Sequence, residues 1–191
     1  MSGKTEFVKK LINNVEDMFH PVPSEIVWCY GEWQSFYSDY PNIRFIEGLP
    51  NVEQWNATTP RLVIIDDLMN EADDRVSSLF TKGSHHKNIS VIFIVQNIFN
   101  KNKNQRTVSL NSHYICLLKN PRDATQVHTL ARQIYPRNSA YMLEAFKDAT
   151  SRAYGYLLID LRQETPTELR LRTSIFPTER HVVYVPKNGV V

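Results

Sequence analysis

Cysteine is nearly absent. Cys29 and Cys116 are the two cysteines in 191 residues. Both lie in apolar runs that read as strands, so they are expected as buried free thiols of a reducing compartment. Two isolated cysteines support neither a disulfide framework nor a metal site. No apolar run approaches membrane-spanning length and no signal peptide opens the chain, which leads to the expectation of an intracellular protein, cytoplasmic or nuclear, with no membrane partner. Charge excess is missing too. The 22 Lys and Arg against 20 Asp and Glu leave a net charge of +2, so any nucleic-acid affinity must come from local patches. No repeat, low-complexity tract or domain boundary interrupts a composition that is ordinary for a globular domain.

What is present is an alternation of short apolar runs with helical patterns. Strands are expected at Ile26–Tyr30, Ile43–Ile46, Leu62–Ile65, Val91–Val95, Tyr114–Leu118 and Tyr156–Leu161. Leu169–Phe176 alternates as a half-exposed strand should. Helical spacing marks residues 7–19, where Pro21 and Pro23 follow, and residues 70–82, 123–135 and 139–148, with Asp123 as a candidate N-cap. The order predicts an α/β fold with a mainly parallel sheet and helices on both faces. Residues 1–176 form the expected domain, and 177–191 read as an extended tail.

Ser2-Gly3-Lys4-Thr5 matches the second half of a phosphate-binding loop, Gly-x-x-x-x-Gly-Lys-Ser/Thr. In the full motif backbone N–H groups wrap the phosphates, the Lys reaches the β- and γ-phosphates, and the Thr hydroxyl sits on Mg²⁺. A helix must follow at once, so that its positive end faces the anion. The amphipathic pattern from Phe7 to Phe19 supplies one. The leading glycine and the strand that should precede the loop are missing. The expectation is that Met1 is an internal methionine of a longer motif, and that a chain starting there binds ATP poorly.

A second motif is Arg61-Leu62-Val63-Ile64-Ile65-Asp66-Asp67. A buried apolar strand ending in carboxylates is the Walker B pattern. It delivers acid to the carboxyl edge of the sheet, where open α/β sheets bind ligands. Asp66 is assigned to Mg²⁺ and Asp67 to orienting or deprotonating the attacking water, with Glu71 the lesser candidate base. The bland alternative is that both aspartates cap the next helix. The following strand ends in Gln96-Asn97, and Gln96 is a candidate sensor of the γ-phosphate.

These motifs occur with others in a fixed order. They are Glu6-Phe7, Tyr30-Gly31-Glu32-Trp33-Gln34, Ile64 to Glu71, Leu79 to His86, Val95-Gln96-Asn97, Lys119 to Asp123, Ala149 to Arg152 and Tyr154-Gly155-Tyr156-Leu157. Together they resemble the DNA-packaging ATPases of poxvirus-like large DNA viruses and of Polinton and adintovirus elements, in the FtsK/HerA branch of P-loop NTPases. The resemblance runs from Ser2 to about Phe176. It implies a P-loop NTPase fold and a homo-oligomeric ring that uses ATP and Mg²⁺ to drive double-stranded DNA into a capsid. Ser2, Gly3, Lys4 and Thr5 would bind nucleotide, and Thr5 and Asp66 the metal. An arginine from a neighbouring subunit would complete the site, with Arg122 and Arg152 as candidates; taken singly, each reads better as a surface ion pair. His85 and His86 would face nucleotide or DNA. The basic, amide-rich segment Asn100–Arg106 reads either as a solvated turn or as a pore-facing loop in which Lys101, Lys103 and Arg106 touch phosphates. A catalytically silent relative, kept for assembly or DNA binding, is the alternative. The aromatic segment Trp28–Tyr40 reads as packing.

Overall fold

The computed structural model describes residues 3–66, 68, 74–83, 88–99, 103–120 and 124–187. Among these, the chain is α/β and divides into two compact units, one of residues 19–111 and one of residues 1–18 with 112–191. A strand forms within every expected stretch, but of Leu169–Phe176 only Leu171–Thr173 is strand, and Val182–Tyr184 forms one more inside the segment expected as a tail. They make two sheets of four, one parallel and one antiparallel, where a mainly parallel sheet is predicted.

The parallel sheet contains β1 (Glu25–Tyr30), β2 (Arg44–Glu47), β3 (Arg61–Asp66) and β4 (Ile89–Ile94), in the order β2-β1-β3-β4. Its central strand β3 is buried along its whole length, as a strand covered on both faces must be. Leu62, Val63, Ile64 and Ile65 are all 0% exposed. Burial of such a side chain stabilises by about 1.5–3 kcal/mol each. From β1 the chain steps outward to β2, then back across β1 to β3 and on to β4. Steps in opposite directions with the same right-handed crossover put their connections on opposite faces. That is the arrangement found. On one face Val27, Cys29, Val63, Ile65 and Ile89 meet Leu49, Val52 and Trp55 from the β2–β3 connection. They also meet Val76 of α3 (Asp74–Ser78), Leu79 of the π-helical turn Leu79–Gly83, and Val108 of α4 (Lys103–Asn111). On the other face a 3-10 turn, Ser35–Asp39, lays Phe36 and Tyr37 against Trp28. The Cys29 thiol is free and fully buried, and burial pushes it up to about 12.

The other unit opens with α1 (Gly3–Asn13) and the short α2 (Val15–Met18), where one continuous helix is predicted. The antiparallel strands β5 (Tyr114–Leu118), β6 (Tyr156–Asp160), β7 (Leu171–Thr173) and β8 (Val182–Tyr184) follow in spatial order. Between β5 and β6 lie α5 (Ala124–Ile134) and α6 (Ser139–Ala149). Asn138 caps α6 by accepting the Tyr141 N–H at 3.3 Å. Within the segment 177–191, β8 is tied inward: Tyr141 donates its hydroxyl to the Tyr184 carbonyl at 2.6 Å. Tyr184 in turn donates to Asp148 at 2.6 Å. Phe7 of α1 sits edge-on to Tyr156 and Phe176, with ring centroids 4.7 and 5.6 Å away.

Candidate functional site

Asp66 is the last residue of β3 and is 6% exposed. It stands in register with Tyr30 at the end of β1 and with Ile94 at the end of β4. The connections leaving β1 and β3 depart to opposite faces, so the carboxyl ends of these two strands form the point where strand order reverses. Open α/β sheets bind ligands at such a point. A short, acidic, buried strand end therefore falls where chemistry is expected. Gln96 lies two residues beyond β4 and is exposed. The turn after it is fixed by Asn97, whose side-chain oxygen accepts the Phe99 N–H at 2.7 Å.

Around Asp66 the sequence reading undervalues the aromatics. Trp28 and Tyr37 are each 1% exposed. The Tyr37 ring stacks on Phe45 at 4.5 Å and lies 5.2 Å from Tyr30 and 5.1 Å from Trp33. Burial pushes the Tyr37 phenol well up, and the negative charge of Asp66 pushes the same way; the Trp28 indole N–H beside the phenol oxygen opposes them. The strand is anchored at its other end by Arg61, 8% exposed. Its Nε donates to Glu25 at 2.7 Å and its Nη1 to the Asn56 carbonyl at 3.0 Å, while the guanidinium rests 5.1 Å from the Trp55 ring centre. The Arg61 hydrogen bond outweighs burial and holds the Glu25 carboxyl below its ordinary range.

The residues of the phosphate-loop fragment belong to the other unit. Gly3, Lys4 and Thr5 form the first turn of α1, and Thr5 is 6% exposed. Gly3 makes a close approach to flexible side-chain tips. A Cβ there would stand 2.9 Å from the Leu118 side chain at the end of β5 and 3.7 Å from the Tyr154 ring. The start of α1 thus meets the turn that carries Arg152 and Tyr154. In that turn the Gly155 N–H donates to the Arg152 carbonyl at 3.1 Å, and Tyr154 adopts φ 60° with its ring 69% exposed. Arg152 is exposed and makes no ion pair among the described residues.

The same unit holds a carboxylate that no motif flags. Asp160, the last residue of β6, is 1% exposed. Arg162 donates to it from Nε at 3.1 Å, from Nη2 at 3.0 Å and from its backbone N–H at 3.2 Å. Arg172 stands 3.5 Å away. Burial would raise the Asp160 carboxyl, but the Arg162 hydrogen bonds outweigh it and hold the group below its ordinary range. This is a carboxylate committed to structure.

Lys4, Thr5 and Arg152 therefore share one unit, and Asp66, Gln96 and Arg106 the other. Arg106 is exposed on α4. The loop expected over residues 100–106 is corrected from Lys103 onward, because residues 103–111 are helical. Val108, the buried residue among its described side chains, gives too little periodicity to read among Asn, Arg, Thr and Ser. Ser2, Asp67, Glu71, His85, His86, Lys101, Arg122 and Asp123 lie outside the described residues. Among the described residues no three His, Cys, Asp or Glu side chains converge as a metal site, and no helix is long and apolar enough to cross a membrane. No family model, curated protein or solved structure matches the chain.

Proposed function

We propose that this chain is a subunit of an ATP-driven double-stranded DNA translocation motor of the packaging type, with the fold of a P-loop NTPase. The observation that carries the reading is Asp66, a carboxylate buried at the carboxyl end of a central parallel strand, where strand order reverses. Gln96 follows the neighbouring strand, as a sensor of the γ-phosphate would. The Lys4 ammonium supports the reading as a counter-charge for the β- and γ-phosphates at a helix N-terminus. Asp66 and the Thr5 hydroxyl have the hard oxygen donors that Mg²⁺ takes. The ion, when bound, neutralises charge on the transferring phosphoryl group. Asp67 accepts the proton of the attacking water as ADP leaves, and an arginine of a neighbouring subunit, Arg122 or Arg152, stabilises the transition state in a homo-oligomeric ring. Arg106, with Lys101 and Lys103, contacts DNA phosphates without reading sequence. Capsid proteins are the partners this role requires.

A second reading is a non-hydrolysing interaction or DNA-binding domain. Calorimetry with Mg²⁺-ATP and phosphate release with duplex DNA separate the two. The motor reading expects DNA-stimulated hydrolysis, reduced at least about a hundredfold by Lys4→Ala or Asp66→Ala. DNA binding or assembly indifferent to both substitutions, without hydrolysis, establishes the second reading.

A further inference from the structure

The aromatic segment that follows β1 packs inward, except at Trp33. Phe36 and Tyr37 are buried, whereas Trp33 is 57% exposed. Its ring is nonetheless held in place. It stands edge-to-face with Tyr37, Tyr30 and Phe45, with centroids 5.1, 5.6 and 6.0 Å away and interplanar angles of 82°, 77° and 70°. Tyr37 and Phe45 are stacked on each other at 4.5 Å. A ring perpendicular to both members of a stack, and this close to each, lies face-down across their edges. One indole face is therefore covered and the other is turned to solvent. The surroundings of that open face are acidic. Tyr30 is in register with Glu47 of β2 on one side and with Asp66 of β3 on the other, so two carboxylate residues flank it on the same face of the sheet. Glu32 precedes Trp33 in the chain. Glu32 and Glu47 are exposed and make no ion pair among the described residues. The bases of residues 25–66 are Arg44 and Arg61, and both are tied to Glu25 at the opposite end of β1.

An open aromatic face beside uncancelled carboxylates suits a guanidinium, which stacks on a ring and donates to carboxylates together. This chain carries the complement. Residues 19–111 hold ten acids and eight bases, whereas residues 1–18 and 112–191 hold ten acids and fourteen bases. In the basic set, Arg132, Arg137, Arg152 and Arg180 are exposed and make no ion pair among the described residues. We propose that Trp33, with Glu32 and Glu47, is a docking surface for an exposed arginine of a second copy of this chain. The two complementary surfaces lie on different parts of the chain, so the contact is heterologous. Each copy keeps one surface of each kind open, and assembly propagates into a ring or a filament. The proposal rests on the self-association that the motor reading contains, and not on nucleotide binding or hydrolysis.

Sedimentation velocity of the full chain, with and without Mg²⁺-ATP, tests the surface. The parent is expected to self-associate at low salt and to dissociate as salt screens the contact. Trp33→Ala should weaken association at least about tenfold, and Trp33→Phe, which keeps a smaller ring, should lose less. Glu32→Gln with Glu47→Gln should weaken it and flatten its salt dependence. Of Arg132→Ala, Arg137→Ala, Arg152→Ala and Arg180→Ala, made singly, at least one should match Trp33→Ala. Mixing that variant with Trp33→Ala should restore a dimer and nothing larger, because each pair keeps one intact contact. Thermal melts confirm that the variants fold, as expected for exposed positions. Association that survives Trp33→Ala, or that none of the four arginine variants weakens, overturns the surface and leaves the motor's ring to another face. A parent that stays monomeric under all conditions overturns both the surface and the ring. A parent that assembles through Trp33 but hydrolyses no ATP supports the surface and overturns the motor reading.

Discussion

Each unit ends a strand in a buried aspartate, and the two are held in opposite ways. Asp160 is wrapped by the guanidinium and backbone N–H of Arg162, with Arg172 behind it. Asp66 stands beside aromatic side chains, at the carboxyl edge of a parallel sheet. A carboxylate clamped by arginines has its lone pairs committed and its charge cancelled. Asp66 has aromatic rings on its face of the sheet instead, and its charge pushes the Tyr37 phenol up. Burial alone does not separate them, since both are almost inaccessible; the partners do.

The largest expected effect tests the clamped side. Asp160→Asn removes the charge that neutralises two arginines, and losing one partner of a buried pair costs about 3–5 kcal/mol. The Arg162 and Arg172 side chains keep 37% and 26% exposure, which places the loss near the lower end. Urea unfolding at neutral pH measures it. The same group sets an acid limb. Its folded-state pKa lies below its ordinary 3.8, so its contribution is fully present above that value. It is lost as pH falls through the lower, folded-state value. The acid limb should flatten in Asp160→Asn; an unchanged limb means other carboxylates dominate.

Next in size is a contrast between two glycines. A Cβ at Gly155 would meet the Ala149 carbonyl at 2.4 Å and the Arg152 carbonyl at 3.0 Å, both backbone atoms. Backbone cannot step aside as a rotamer can, so Gly155→Ala is expected to cost about 2–3 kcal/mol. At Gly3 the nearest obstacle is the tip of Leu118. Ala also favours a helix by about 1 kcal/mol over Gly, so Gly3→Ala should change stability by less than about 1 kcal/mol. Thermal melts of the two variants check this. A loss at Gly3 as large as at Gly155 means the start of α1 is as tightly built as the turn beside it.

The strands were legible because buried parallel strands are continuous apolar runs, as Leu62–Ile65 is. The split into two sheets was not, because which strands pair depends on long-range packing and leaves no local signal in Val91–Val95 or Tyr114–Leu118. Asp66 was legible through its position after an apolar run. Its surroundings were not, since Tyr37 reaches β1 from a 3-10 turn whose Phe-Tyr pair has no helical or strand period. Asp160 went unread because its clamp is assembled from residues 162 and 172, across a turn and a neighbouring strand. Helix α4 was missed for want of apolar spacing.

The smallest expected change in stability is at Asp66, and it sharpens the comparison most. Asp66→Asn keeps the shape and removes a charge from a site 6% exposed. Relief from desolvating that charge offsets the polar interactions lost with it, so stability should move by less than about 1 kcal/mol. Mg²⁺-ATP binding should fall at least about tenfold, because an amide is a poor substitute for a carboxylate on a hard cation. Asp160→Asn should show the reverse, a large loss of stability. If the Asp66→Asn variant instead unfolds at a urea concentration as low as Asp160→Asn does, Asp66 is a structural carboxylate like its counterpart. The motor reading then loses the residue that carries it.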